Sequence, residues 1–101
     1  MKLKVGDTAS WISQSAGKRE RKTGPVRAIV YAGDSIRMVL RRLKIDVPRN
    51  RVRAETDISP YDRYLVEVAS ERGGEPVTLY HVPRVKTVDE QIAPPAQAVA
   101  P

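Results

Sequence analysis

The chain predicts a mostly β fold with one helix: a small antiparallel barrel of about five strands carrying a helical insertion. Three observations carry this expectation. Short runs rich in Val, Ile, Thr and Tyr recur between Gly, Pro and Asp turn signals, and one segment alone changes to a helical period. Phe is absent and the aromatics are only Trp11, Tyr31, Tyr61, Tyr64 and Tyr80, so a core must be built from Val, Ile and Leu, which suit strands. At 101 residues there is room for one domain, expected over 1–90, and one core.

Lys4-Val5-Gly6-Asp7 is a turn signal feeding a strand over Thr8 to Ser13, with Trp11 and Ile12. Gln14 to Thr23 is polar and basic with no apolar periodicity, and predicts a mobile loop. After Gly24-Pro25, the β-branched run Val26 to Tyr31 predicts a second strand. Ile36, Val39, Leu40 and Leu43 then fall at i, i+3, i+4 and i+7 with Asp34 or Ser35 available as N-cap, so a helix is expected within 34–47, ended by Pro48. A strand over Ile36 to Ile45 is the competing reading. Pro48 to Asp62 reads as loop with a short extended piece near Val52. Tyr64 to Val68 and Val77 to Val82 flank Glu71-Arg72-Gly73-Gly74-Glu75 and predict a hairpin. Val85 and Val88 suggest a last short strand, and 91–101, rich in Pro and Ala, a disordered tail.

Charge is distributed unevenly. Residues 18–53 hold twelve Lys and Arg against Glu20, Asp34 and Asp46, a local +9 in a chain whose net charge is +6. A field concentrated this way attracts a polyanion more strongly than the same charge spread evenly, so DNA or RNA leads the partners. All of these cations but Arg27 fall into three groups. Lys18, Arg19, Arg21 and Lys22 lie in the basic loop; Arg37, Arg41 and Arg42, with Lys44, lie on the polar face of the helix; Arg49, Arg51 and Arg53 alternate, forming a comb on one side if that piece is extended. Each group has a plainer reading as a solvated surface.

Other classes find little support. There is no Cys and one His, which excludes disulfides, thiolate zinc and multi-histidine metal sites. No apolar run approaches the ~20 residues of a membrane span, and a cytoplasmic protein with no membrane partner is expected. The carboxylates Glu55, Asp57, Asp62 and Glu67 show no acid–base spacing, Ser35 and Ser59 no nucleophile motif, and the glycines at 17, 24 and 33 no phosphate loop, so neither enzyme activity nor a cofactor is expected. Trp11 reads as core rather than stacking platform, Tyr61 as the exposed aromatic, and His81 as a partly buried strand residue.

The order of Lys4-Val5-Gly6-Asp7, a strand with Trp11, a basic loop, and Lys22-Thr23-Gly24-Pro25-Val26 leading into Ile29-Val30 resembles the KOW and Tudor-like small barrels of Src-homology-3-like architecture. Together with Tyr80-His81-Val82-Pro83-Arg84-Val85 it is also similar to short uncharacterised proteins of phages and bacterial mobile elements. The likeness covers roughly 2–31 and 63–88. It implies a binding module: one for nucleic acid phosphates with little sequence reading, or one that docks on an acidic protein and inhibits a host machine.

Overall fold

The computed structural model describes residues 1–92 except Ala16 and the side chain of Ser15. Five strands form one sheet in the order β1-β2-β4-β5-β3, curled into a half-barrel. The strands are β1 (Thr8–Ser15), β2 (Lys18–Val30), β3 (Val52–Arg53), β4 (Arg63–Arg72) and β5 (Glu75–His81). Two short helices complete the fold, α1 (Ile36–Arg42) and α2 (Val85–Glu90). Neighbours pair antiparallel except β3, which joins β5 in parallel, with Val52 opposite Tyr80 and Arg53 opposite His81. No helix among the described residues is long and apolar enough to cross a membrane.

β4 is central and buried on both faces. Tyr64, Val66 and Val68 meet Ala9, Trp11, Val26 and Val88, while Leu65 meets Val30, Ile36, Val39, Leu40, Tyr80 and Val82. Strand alternation explains the division. One face is covered by the curl of β1 and by α2, the other by α1. Val26 and Ala28, two residues apart on β2, nevertheless serve different faces, because the register with β4 shifts between them. A bulge of this kind moves the following side chains to the other face and sharpens the bend.

The bend itself sits at Gly24-Pro25. Residues up to Pro25 pair with β1, whereas Val26 onward pairs with β4. Gly24 is buried so tightly that a Cβ there would lie 1.8 Å from the carbonyl oxygen of Glu67. Only glycine lets the two backbones approach this closely. Gly24-Pro25, expected to precede the second strand, thus lies inside it, at its hinge.

The expected hairpin forms: Arg72 faces Glu75 across Gly73 and Gly74, whose φ values of 60° and 83° suit a two-residue turn matched to strand twist. The N-terminal turn also forms, with Gly6 N–H donating to Val26 O and Asp7 N–H to Lys4 O.

Several expectations are corrected. Gln14 to Thr23 is not a loop. Gln14 and Ser15 end β1 and Lys18 to Thr23 begin β2, because backbone pairing holds a two-stranded ribbon even where neither face is apolar. The helix expected within 34–47 does form, as Ile36–Arg42 and not as a strand, with Ser35 Oγ accepting from Met38 N–H as its N-cap. It ends when Lys44 turns to φ 59°, with Lys44 N–H bonded to Arg41 O and Ile45 N–H to Leu40 O. This is the Schellman termination, which acts four residues before Pro48 and does not need it. Val85 and Val88 belong to helix α2 rather than a strand; their i, i+3 spacing buries Val88 and half-buries Val85. Of the expected tail, Gln91 is bound in place: its side-chain amide accepts from Ile12 N–H at 2.6 Å and donates to Ile12 O at 3.3 Å, closing the outer edge of β1 at one point. Residues 93–101 lie outside the described residues.

Candidate nucleic-acid interface

The basic segment 18–22 becomes one limb of a β-ribbon arm. No described side chain from Ser13 to Arg21 is buried, whereas Ala9 and Trp11 at its base are core. Alternation places Arg19 and Arg21 on one side and Lys18, Glu20 and Lys22 on the other. Arg21 donates to Ser10 Oγ at 3.0 Å, and Lys22 pairs with Glu20 at 3.0 Å. The Lys22 hydrogen bond and charge hold the Glu20 carboxyl below its ordinary range. Lys18 and Arg19 have no carboxylate partner among the described residues. The sequence alternates nothing there except charge and polarity, so the arm is held by its backbone ladder and a few surface side-chain bonds rather than by a core.

The remaining cations do not join the arm in one patch. Arg37, Arg41 and Arg42 are exposed on α1, which covers the sheet face opposite Trp11. Lys44, expected on the same stripe, leaves it with the left-handed turn. The Arg49, Arg51 and Arg53 comb does not form, because Arg49–Arg51 is a 3-10 turn and only Val52–Arg53 is extended. Arg49 and Arg37 both line a groove of about 530 Å³ with Ile36, Leu40, Val47 and Val52. Arg53 instead lies beside His81 in register.

Asp57 anchors this neighbourhood. Its carboxylate accepts from Ser35 Oγ and from Arg37 N–H at 3.0 Å, and its carbonyl accepts from Ile36 N–H and from Arg63 Nη2, both at 3.0 Å. The Ser35 hydrogen bond, followed by the Arg37 amide and the charges of Arg37 and Arg63, keeps this carboxyl below its usual value against the effect of burial. Arg63, 5% exposed, also donates to Thr56 O at 2.9 Å, so one buried guanidinium pins the 54–62 segment to the start of β4.

A second surface, which the linear charge count misses, is a cleft of about 460 Å³ beside this segment. Arg53, Arg63 and Arg84 contribute to its walls, with Trp11, Tyr61 and His81. Trp11 is 3% exposed and meets His81 edge to face at 6.1 Å, as a core residue does. Tyr61 is 48% exposed, and the Arg84 guanidinium lies 3.7 Å over its ring. Burial, then the charges of Lys22 and Arg53, lower His81 to about 4, partly offset by Glu20. His81 is therefore neutral at physiological pH. Arg63 and Arg84 stand outside the basic stretch, and only the antiparallel bridge between them brings them together. Among the described residues no cluster of His, Asp or Glu is arranged to hold a metal ion.

No family model matches this chain. No curated protein and no solved structure matches it either.

Proposed function

We propose that this small β-barrel-like domain binds nucleic acid through the phosphate backbone, with little reading of sequence, by laying its β1–β2 arm along the strand. The observation that carries the reading is the arm itself, a polar ribbon bearing Lys18, Arg19, Arg21 and Lys22 that buries nothing beyond its base. A two-stranded ribbon has dimensions compatible with a DNA groove, and exposed cations on it release counterions when they meet phosphates. Arg37, Arg41 and Arg42 offer a further contact surface on the α1 side, and Arg49, Arg51 and Arg53 contribute as separate cations rather than as a comb.

Affinity measured across a salt series tests this. If about four cations meet phosphates, log K falls against log salt with a slope of roughly −3 to −4. Binding that ignores salt, or a purified domain that captures an acidic protein and no nucleic acid, refutes the reading in favour of a protein-docking module.

A further inference from the structure

The cleft beside Trp11 combines three features that together select a ligand. First, arginines line it from three separate elements: Arg53 from β3, Arg63 from β4 and Arg84 from the residue that caps α2. None of the three is within ion-pairing distance of a carboxylate among the described residues, and Glu55 is the one carboxylate in the lining. An uncompensated positive concavity favours an anion, and the planar fork of arginine favours phosphate or carboxylate.

Second, the cleft has flat walls. The Arg84 guanidinium over Tyr61 presents a planar, half-exposed stack, and arginine can stack through its face while donating in its plane. Third, two nitrogens of lining residues are buried and unpartnered, Arg63 Nε and His81 Nε2. Arg63 is the sharper case, since its side chain is almost wholly buried and its Nη atoms are already committed to Thr56 O and Asp57 O. Its Nε–H is left without an acceptor, an arrangement that native interiors seldom tolerate without a ligand or water to complete it.

We propose that this cleft binds a single nucleotide carrying a phosphate monoester, with the phosphate held by Arg53 and Arg63 and the base stacked on the Arg84–Tyr61 pair. Its volume falls within the roughly 300–1,000 Å³ of small-ligand pockets. Inorganic phosphate alone would leave the stack unused, and a nucleoside alone would leave the arginines unneutralised. The source is either a free mononucleotide or the phosphorylated end of a strand. The site shares none of Lys18, Arg19 and Arg21 with the arm, so either can fail alone.

The test uses the intact chain and two reporters already in the cleft. Trp11 is the only tryptophan, so its fluorescence reports on this site, and NMR follows the His81 ring. His81 is faced by Lys22 and Glu20 from β2, Arg53 from β3 and the uncharged Trp11 from β1, and a bound phosphate adds a negative charge to this set. AMP is expected to give saturable changes in both signals and to raise the His81 titration midpoint. Adenosine and inorganic phosphate should each bind at least about tenfold more weakly, the equivalent of ~1.4 kcal/mol. Arg53→Gln and Arg84→Gln should each weaken AMP by a similar factor at unchanged melting temperature, whereas Lys18→Gln/Arg19→Gln/Arg21→Gln should leave AMP binding intact. A 5′-phosphorylated oligonucleotide that displaces AMP, when its 5′-hydroxyl twin does not, assigns the site to strand ends; displacement by neither assigns it to free nucleotide. No saturable change with AMP up to about 10 mM, beyond any useful affinity, overturns the proposal, as do equal binding of adenosine and AMP or unaltered affinity in both arginine variants.

Discussion

The arm of β1–β2 and the cleft beside its base hold the same kind of side chain in opposite settings. On the arm, Lys18 and Arg19 stand in water on a ribbon with no core; in the cleft, Arg63 is buried, bonded to two carbonyls and built into the fold. The contrast separates two jobs that a charge count merges. An exposed cation sets affinity for a polyanion and costs the fold almost nothing, while a buried one fixes geometry and cannot be removed cheaply.

The largest effect expected to break or sustain this contrast is at the wall of the cleft. Trp11→Ala should destabilise by about 3–5 kcal/mol through lost burial and the cavity left behind, against less than ~0.5 kcal/mol for Arg19→Gln on the arm. Urea unfolding of the two variants measures both. Next is Arg63→Gln, which leaves the carbonyl of Thr56 unpaired, strips Asp57 O of one of its two donors and frees the 54–62 segment; a loss of about 2–4 kcal/mol is expected. A loss as small as that of Arg19→Gln would show that Arg63 is no different from an arm residue.

The third effect is on binding. Replacing Lys18, Arg19 and Arg21 together with Gln should make the salt slope shallower by roughly 2–3 units while the melting temperature holds, because each lost phosphate contact removes about 0.9 of a unit. Neutralising Lys4, Arg72 and Lys86, exposed cations outside every proposed contact, is the matched control. Equal losses from the two sets would mean that total charge, and not the arm, governs binding.

The smallest effect is a pH dependence at the foot of the arm. His81 titrates near 4 when folded against 6.5 ordinarily, so between those values the unfolded chain takes up the proton first. Its neutral burial therefore stabilises fully above 6.5, and that contribution shrinks as pH falls toward 4. Melting temperature should decline across this window in the wild type and less steeply in His81→Gln. The Asp57 carboxyl, held low, acts in a separate window: its contribution is present above 3.8 and is lost as pH falls through its folded value. A decline confined to pH below 3.8 would remove His81 from the account.

Much of the frame was legible from residue order. The β4–β5 hairpin announces itself through β-branched runs around Gly73-Gly74, and α1 through its apolar spacing and Ser35. Trp11 as core and Tyr61 as surface follow from their neighbours in the chain. The arm is not legible as strand because its limbs have no buried face, and period-2 alternation of apolar residues exists only where one face leaves water. α2 is not legible because two valines three residues apart are too few to mark a helical stripe against a short strand. The Arg49 to Arg53 comb failed on a 3-10 turn that no side-chain pattern foretells. Concentrated charge was visible, but Arg53, Arg63 and Arg84 lie far apart in the chain, and only the pairing of β4 with the segment after β5 brings Arg63 and Arg84 together.

The amide of Gln91 against Ile12 has a colloidal meaning. β1 is an outer strand, eight residues long, and such an edge is a ready template for another chain. Gln91 satisfies both the N–H and the C=O of Ile12, as a neighbouring strand would. A second copy zipping along β1 has to unseat the end of α2 before its ladder can run past the middle of the strand. With Gln91→Ala the edge is continuous, and concentrated solutions should scatter light and drift toward dimers where the wild type stays monodisperse.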